Sequence, residues 1–229
     1  MIKPRQAFDA HDHIRGAREA ERLGHTLEAR EAYECAMRAL TPSVAPDLAP
    51  KLLRWIAWTH SPDGDPHAAL DTLEAAEAVA TACGDAGALA SVLNTRAGTL
   101  FGIGELDAAK AMFERVRGLA ESQGDRKLMA IAEQNLGTVS SIRGELESAL
   151  ARFQASLANF EALDEASYGG PLLNNIGRLQ SELGLEEEAE ASLARARSLC
   201  ILEDDVHHLS IVEVNRARLM LRSGEAVRA

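Results

Sequence analysis

Histidine clusters are the first residues in this sequence whose types suggest metal chemistry. His11 and His13 flank Asp12, and His207 precedes His208. Residues two apart on a helix point in different directions, and the two clusters lie near opposite ends of the chain. Their side chains are therefore not expected to converge on one ion, as a metal site requires. We predict solvated or partly packed histidines and no metal site.

Acidic and glycine-containing segments likewise lack the surroundings of an active site. Three consecutive glutamates at 186–188 stand where a helix would begin, and negative charge there suits the helix dipole. The sequence contains no G-x-S-x-G, no Walker glycine loop and no dinucleotide-binding glycine motif after a strand. Without a nucleophile–base pair or a phosphate cradle, we expect no enzyme activity and no cofactor.

Asparagines recur at a constant interval and suggest another kind of chemistry. Asn135, Asn175 and Asn215 lie forty residues apart. An amide side chain offers a donor and an acceptor together, so a row of amides could hold the backbone of an extended ligand. The same groups could instead bond between adjacent helices and fix their geometry. For ligand binding, we expect these asparagines to be solvated in the free protein.

The forty-residue interval relates nearly the whole chain, in four columns. A glycine is followed five residues later by alanine and nine residues later by a large apolar residue, and is preceded at seven residues by a small one. Such a fixed period is typical of a solenoid, in which each repeat packs on its neighbours. The columns are Gly24, Gly64, Gly104, Gly144, Gly184 and Gly224; Ala29, Ala69, Ala109, Ala149, Ala189 and Ala229; Tyr33, Leu73, Phe113, Phe153 and Leu193; and Ala17, Ala57, Ala97, Gly137, Gly177 and Ala217.

With these offsets the sequence resembles the tetratricopeptide repeat family. The usual repeat is about six residues shorter, so the chain is similar to the long-repeat branch of kinesin light chains and bacterial peptide-sensing or transcriptional regulators. The resemblance implies an all-α, right-handed solenoid of antiparallel helix pairs, with five full repeats and one extra helix. We place one solenoid domain over 1–229, with repeats at about 8–47, 48–84, 85–124, 125–164 and 165–204 and a partial sixth at 205–229.

Acidic residues precede the first helices at the same interval. Asp85, Asp125, Glu165 and Asp205 are placed to cap free N–H groups at the positive end of each helix dipole. The glycines and proline of the segment 166–171 are expected to delay the first helix of repeat five until about Pro171.

In tetratricopeptide repeat proteins the first helices line a concave groove. The resemblance assigns this face to positions three, six, nine, ten and thirteen residues before each turn glycine. Arginines there could hold carboxylates through paired hydrogen bonds, and Trp58 could be a binding hot spot or fill core space beside a short helix. The candidate ligand- or partner-binding residues are Asn94, Asn135, Asn174, Asn175, Asn215, Arg54, Arg178, Arg218, Trp58 and Phe101.

Bulk composition narrows the class of partner. The 229-residue chain has a formal net charge of -11, which argues against non-specific binding to nucleic acid or to an anionic membrane. Its three cysteines form no C-x-x-C motif, so no zinc site or disulfide framework is expected, and free thiols fit a reducing cytoplasm. No secretory signal or apolar run long enough to span a membrane is present.

These observations predict a protein–protein interaction module that binds an extended, acidic peptide or protein segment in its groove. Two alternatives remain: a regulatory or sensory input module of a larger signalling protein, and a self-association scaffold. Residues 224–229 match the beginning of a second helix in the sixth repeat. We therefore expect either a longer protein or a last helix that pairs with another copy.

Overall fold

The computed structural model describes residues 5–40, 47–60, 64–222 and 224, and all regular structure in these ranges is helical. Five helix pairs and one additional helix agree with the predicted all-α architecture. The helices are α1 (Arg5–Arg22), α2 (Thr26–Ala39), α3 (Leu48–His60), α4 (Pro66–Cys83), α5 (Ala86–Gly102), α6 (Leu106–Gln123), α7 (Arg126–Ile142), α8 (Leu146–Glu161), the 3-10 helix η1 (Ala166–Tyr168), α9 (Gly169–Glu182), α10 (Glu186–Leu202) and α11 (Val206–Arg222). The second helix predicted for the sixth repeat falls mostly outside the described residues.

Packing divides the chain into two compact units, residues 1–119 (unit 1) and 120–229 (unit 2). In unit 1, α3 packs on α2, α4 and α5; in unit 2, α9 packs on α8, α10 and α11. The contacts thus join helices that follow one another in the chain, and the first helices α3 and α5, and α9 and α11, also contact each other. This neighbour-only pattern is the packing of a helical solenoid.

The turn glycines adopt the backbone conformation that the sequence predicts. All six have positive φ, for example 75° at Gly144. The Gly144 N–H bonds to the Ser141 oxygen, and the next N–H, of Glu145, bonds to the Ser140 oxygen at 2.9 Å. This double closure satisfies carbonyls at the end of α7 and requires the left-handed conformation that glycine adopts without steric cost.

A second column of left-handed residues ends the second helices, again forty residues apart. Gly84 and Gly124 both have φ of 66°. Asp164 and Asp204 occupy the corresponding positions with φ of 54° and 55°. Aspartate is one of the few residues with a side chain that tolerates this conformation. The repeat geometry is therefore kept in two repeats that lack the glycine.

Small and bulky columns meet between the two helices of a repeat. The alanine column from Ala29 to Ala189 is fully buried, and the bulky residue nine after each glycine is buried as well. A Cβ atom added to Gly137 would lie 3.1 Å from the Phe153 ring. The small residue is therefore the notch that receives the bulky one, as the spacing predicts. Ala217 is the exception in this column, because it is exposed.

Aspartate caps begin three of the first helices. Asp85, Asp125 and Asp205 each accept a hydrogen bond at 2.8–3.0 Å from the N–H three residues later. Asp65 does the same at the start of α4, where Pro66 occupies the first helical position. The capping prediction is confirmed for these three first helices.

Glu165 does not cap its helix, contrary to the prediction for this column. The short helix η1 follows it, and α9 begins at Gly169, two residues earlier than predicted. The Glu165 carboxylate instead accepts a hydrogen bond from Lys127 at 2.6 Å. Tyr168, the last residue of η1, stacks on Phe160 with ring centroids 4.0 Å apart. Because this additional turn separates Glu165 from the N-terminus of α9, the Glu165 carboxylate pairs with Lys127 of α7 instead.

Replacement of Asp125 by alanine is expected to lower the free energy of unfolding by about 0.5–2 kcal/mol, because the Leu128 N–H loses its acceptor. Asp125→Asn should retain most of the stability, since asparagine caps equally well. Chemical denaturation of the three proteins measures the difference. Equal losses for alanine and asparagine would contradict a capping role.

Candidate functional site

Polar side chains connect the first helices of unit 2. Arg178 on α9 donates to the Ser141 hydroxyl on α7 at 2.8 Å. Arg222 on α11 donates to the Ser181 carbonyl on α9 at 3.2 Å. These bonds link α7 to α9 and α9 to α11. The predicted binding positions of these helices lie three, six, nine, ten and thirteen residues before Gly144, Gly184 and Gly224. We call them the first-helix surface of unit 2.

Asn174 and Asn215 are paired with each other and nearly buried. The Asn215 amide nitrogen donates to the Asn174 oxygen at 2.9 Å, and the two residues are 7% and 9% exposed. The expectation that Asn215 is solvated is therefore wrong, and its partner Asn174 is nearly buried as well. Their bond spans two adjacent first helices, which is the structural role left open for the asparagines. The Asn174 nitrogen and the Asn215 oxygen remain as a second donor and acceptor.

The remaining asparagines have other surroundings. Asn175 is half-buried and makes no hydrogen bond to any residue that the structure describes. Asn135, forty residues earlier, and Asn94 in unit 1 are also half-buried, but each already interacts with another residue. The shared register therefore does not give the asparagines a shared environment, and Asn175 has the amide that is most available to a ligand.

The two candidate arginines of unit 2 also differ in exposure and in hydrogen-bond partners. Arg178 is half-buried and donates to Glu182 at 2.5 Å as well as to Ser141. Arg218 is exposed and has neither a hydrogen bond nor an ion pair within the described part of the chain. The Arg178 guanidinium is therefore already used in bonds within and between helices, whereas the Arg218 guanidinium is accessible to an anionic group. Arg54 lies in unit 1 and lines a cavity between α3 and α5.

The candidate aromatic residues also lie in unit 1. Trp58 is 59% exposed, so it does not fill core space beside the short helix α3. Phe101, near the end of α5, is half-buried. The exposed ring of Trp58 is available for a contact, and its place on the groove face stays a prediction.

Three apolar residues of α11 on the first-helix surface were missed in the sequence analysis. Ile211, Val214 and Leu221 stand thirteen, ten and three residues before Gly224, and Val214 and Leu221 are 52% and 65% exposed. The groove register itself contained this signal, because these are its predicted positions. Beside the exposed Arg218, they form a surface that combines apolar side chains with a cation.

Histidine and acidic groups form no metal-binding cluster in the described part of the chain. No group of three or more histidine, cysteine, aspartate or glutamate residues could hold a metal there. His208 Nδ1 lies 2.6 Å from the Asp205 carboxylate. The hydrogen bonds from His208, first that of its backbone N–H, hold the pKa of Asp205 below its usual value. This contact is part of the α11 cap. None of the described helices has both the length and the apolar composition of a membrane span.

Comparison with known proteins agrees with the repeat geometry. Residues 88–162 match the family model of the tetratricopeptide repeat. No curated protein sequence matches the chain. The match identifies residues 88–162 as tetratricopeptide repeats, and the helix pairs and turn glycines continue the same arrangement through the other described residues.

Three solved structures illustrate the likeness of fold. Aspartyl phosphate phosphatase F from Bacillus subtilis superposes with a TM-score of 0.81 at 16% identity, over 97% of this chain and 59% of that one. The Rap conjugation gene regulator of plasmid pLS20, in complex with the Phr* peptide, gives 0.73 at 18% identity, over 94% and 60%. A Podosopora anserina putative kinesin light chain with nearly identical TPR-like repeats gives 0.68 at 14% identity, over 89% and 100%. The chain thus spans about three fifths of the first two proteins.

Proposed function

We propose that this chain is a protein-interaction module whose first-helix surface in unit 2 binds an extended peptide or protein segment. The observation that carries the proposal is the set of available groups on adjacent helices α9 and α11. Asn175 offers an amide without a partner in the described structure, Arg218 offers an exposed cation, and exposed apolar residues lie beside it. Such a surface can hold a peptide backbone, an acidic group and apolar side chains together.

The family supports a peptide ligand rather than a small substrate. A structure of similar fold, the plasmid pLS20 regulator, was solved with a peptide bound. An acidic ligand is favoured because Arg218 is an exposed positive charge on a chain of net charge -11. Opposite charges at a contact mainly accelerate association and determine specificity.

The test is selection of peptides from a random library, followed by titration of the best one against matched variants. Asn175→Ala is expected to weaken binding about threefold to tenfold, since one neutral hydrogen bond is lost. Asn159 is the matched control, because its half-buried amide bonds to the Ala155 carbonyl within α8, away from this surface. Asn159→Ala should leave the affinity unchanged.

Arg218→Gln is expected to slow association and to reduce its salt dependence, because an exposed charge acts mainly by steering. Arg126 is the matched control: it is exposed, without an ion pair in the described structure, and off the first-helix surface. Stopped-flow measurements at two salt concentrations compare the variants. Equal effects of Arg218→Gln and Arg126→Gln would contradict a ligand at this surface.

Self-association is a second candidate, supported by a separate observation. Ile201, Leu202 and Val206 are exposed around the turn between α10 and α11. Contiguous exposed apolar groups often mark a contact with another protein. A mass that rises with concentration in the absence of peptide would favour this candidate, whereas saturable peptide binding by a monomer would favour the first.

A further inference from the structure

A cavity of about 280 Å³ lies in unit 1 between helix α3 and the beginning of helix α5. It combines apolar walls with charged groups and is several times larger than the roughly 30 Å³ that a water molecule occupies in the liquid. Its lining includes the apolar side chains of Pro50, Trp55 and Val92 and the charged side chains of Lys51, Arg54 and Asp85.

Arg54 is the charged group of this cavity that lacks a partner. It is half-buried and makes no hydrogen bond or ion pair with the residues that the structure describes. Burial lowers the pKa of Arg54, while the nearby Tyr33 and Glu21 raise it more weakly. Neither residue bonds to Arg54, and the Tyr33 hydroxyl donates to Glu21 at 2.9 Å.

Other half-buried arginines show how unusual this is. Each of those in the described chain donates a hydrogen bond to a carboxylate or a hydroxyl group, as a guanidinium removed from water requires. The Arg54 donors have no such acceptor among the described residues, so a ligand could supply it. The paired arginines are Arg30, Arg96, Arg117, Arg152, Arg178 and Arg216.

The surrounding charges favour an anion at Arg54. Lys51, one helical turn earlier, contributes a second positive charge and has only a loose, exposed contact with Asp47 at 3.6 Å. The Asp85 carboxylate faces the same cavity, but it accepts a hydrogen bond from the Ala88 N–H and offsets the positive end of α5. The two cations therefore outnumber the acidic group that lines the cavity.

The apolar wall indicates what kind of anion would fit. Trp55 is held in place by Tyr33, with ring centroids 5.5 Å apart, and by the Arg18 guanidinium, 4.9 Å from its ring. A guanidinium binds a carboxylate through two parallel hydrogen bonds. An ion attached to a short aliphatic chain could make these bonds while its carbons contact Trp55 and Val92.

We propose that this cavity binds the carboxylate of an aspartate or glutamate side chain of a peptide partner, with Arg54 as the principal donor. The inference rests on the proposed peptide-binding function and adds a subsite in unit 1. It is limited to unit 1, whose residues alone line the cavity.

The experiment observes the Arg54 Nε–H resonance by NMR, assigned by its absence in Arg54→Gln. The probes are N-acetyl-aspartate methylamide and its asparagine analogue, which differ in charge but hardly in shape. Each is titrated to saturation or to its solubility limit. We expect a saturable shift with the aspartate probe and binding at least about tenfold weaker for the asparagine probe, which lacks the charge.

Two variants separate specific binding from general attraction. Arg54→Lys has no Nε–H, so its titration follows the indole N–H resonance of Trp55, which lines the same cavity. This variant keeps the charge but loses the paired hydrogen bonds, so it should weaken binding of the aspartate probe about tenfold. Arg126→Gln removes an exposed positive charge that does not line the cavity, so it should have no effect. Since Arg54 makes no bond within the described chain, its variants are expected to fold, and a thermal melt checks this.

Three results would overturn the subsite: no shift up to the solubility limit, equal shifts with both probes, or inorganic phosphate binding about tenfold more tightly than the aspartate probe. Failure of the Arg54 subsite can be distinguished from failure of the proposed peptide-binding function. A selected peptide that loses affinity in Asn175→Ala but leaves the Arg54 resonance unmoved would refute the subsite alone. Saturable binding of the aspartate probe without any peptide ligand would keep the subsite and refute peptide binding.

Discussion

Replacement of Gly177 by alanine is expected to lower the free energy of unfolding of unit 2 by about 1–3 kcal/mol. A Cβ atom at this position would lie 2.6 Å from Leu193 Cγ and 3.2 Å from the Ala189 carbonyl oxygen. The backbone oxygen belongs to α10 and cannot rotate away, so the two helices must separate. Alanine would otherwise stabilise the middle of a helix by about 1 kcal/mol relative to glycine. Chemical denaturation measures the loss, and hydrogen exchange over α9 and α10 assigns it to unit 2.

Gly98 supplies a control with the opposite expected sign. It lies within α5, is exposed, and has open space where a Cβ atom would be added. Gly98→Ala should therefore raise stability by about 0.5–1 kcal/mol. A stabilised Gly177→Ala protein would contradict the close helix contact and the notch role of the small-residue column.

A double-mutant cycle identifies the contact itself. Leu193→Ala should be costly alone, at about 2–5 kcal/mol, because Leu193 is fully buried. It also removes the Cγ atom that the new methyl group at 177 would meet. Gly177→Ala in this background should then cost much less than in the parent. Additive losses would show that Leu193 is not the obstacle.

Replacement of Asn215 by alanine is expected to cost about 1–3 kcal/mol of stability, because the nearly buried Asn174 oxygen loses its donor. Asn175→Ala should change stability by less than about 0.5 kcal/mol, since the Asn175 amide has no hydrogen bond in the described structure to lose. Thermal or chemical unfolding of the two variants gives the comparison directly.

A paired substitution checks the cause of the loss at Asn215. Asn174→Leu combined with Asn215→Leu removes both polar groups and fills a similar volume, so much of the stability should return. Equal losses for Asn215→Ala and Asn175→Ala, or a double variant as unstable as the sum of its single changes, would contradict the inter-helix bond. Together with peptide titration, this separates asparagines that build the surface from those that bind.

The sequence alone determined the repeat and the positions that form its turns and its helix contacts. Turn glycines, buried alanines and bulky residues at constant offsets were sufficient, because each reports a local requirement. A left-handed turn favours glycine, and a close helix crossing requires a small side chain. The same locality explains why the caps at Asp85, Asp125 and Asp205 were predictable, since each cap bonds three residues ahead.

Only the tertiary structure decided which residues on the predicted groove face are available. Asn175 and Asn215 occupy the same register position, yet Asn215 meets the amide of Asn174 on the preceding first helix. Likewise, Arg178 meets Ser141 and Glu182, whereas Arg54 faces a cavity and bonds to none of the described residues. A polar side chain is no longer available when a residue one repeat away has a complementary hydrogen-bonding group within bonding distance. The forty-residue period fixes where neighbouring residues stand, but the availability of each group depends on the chemistry of the particular pair.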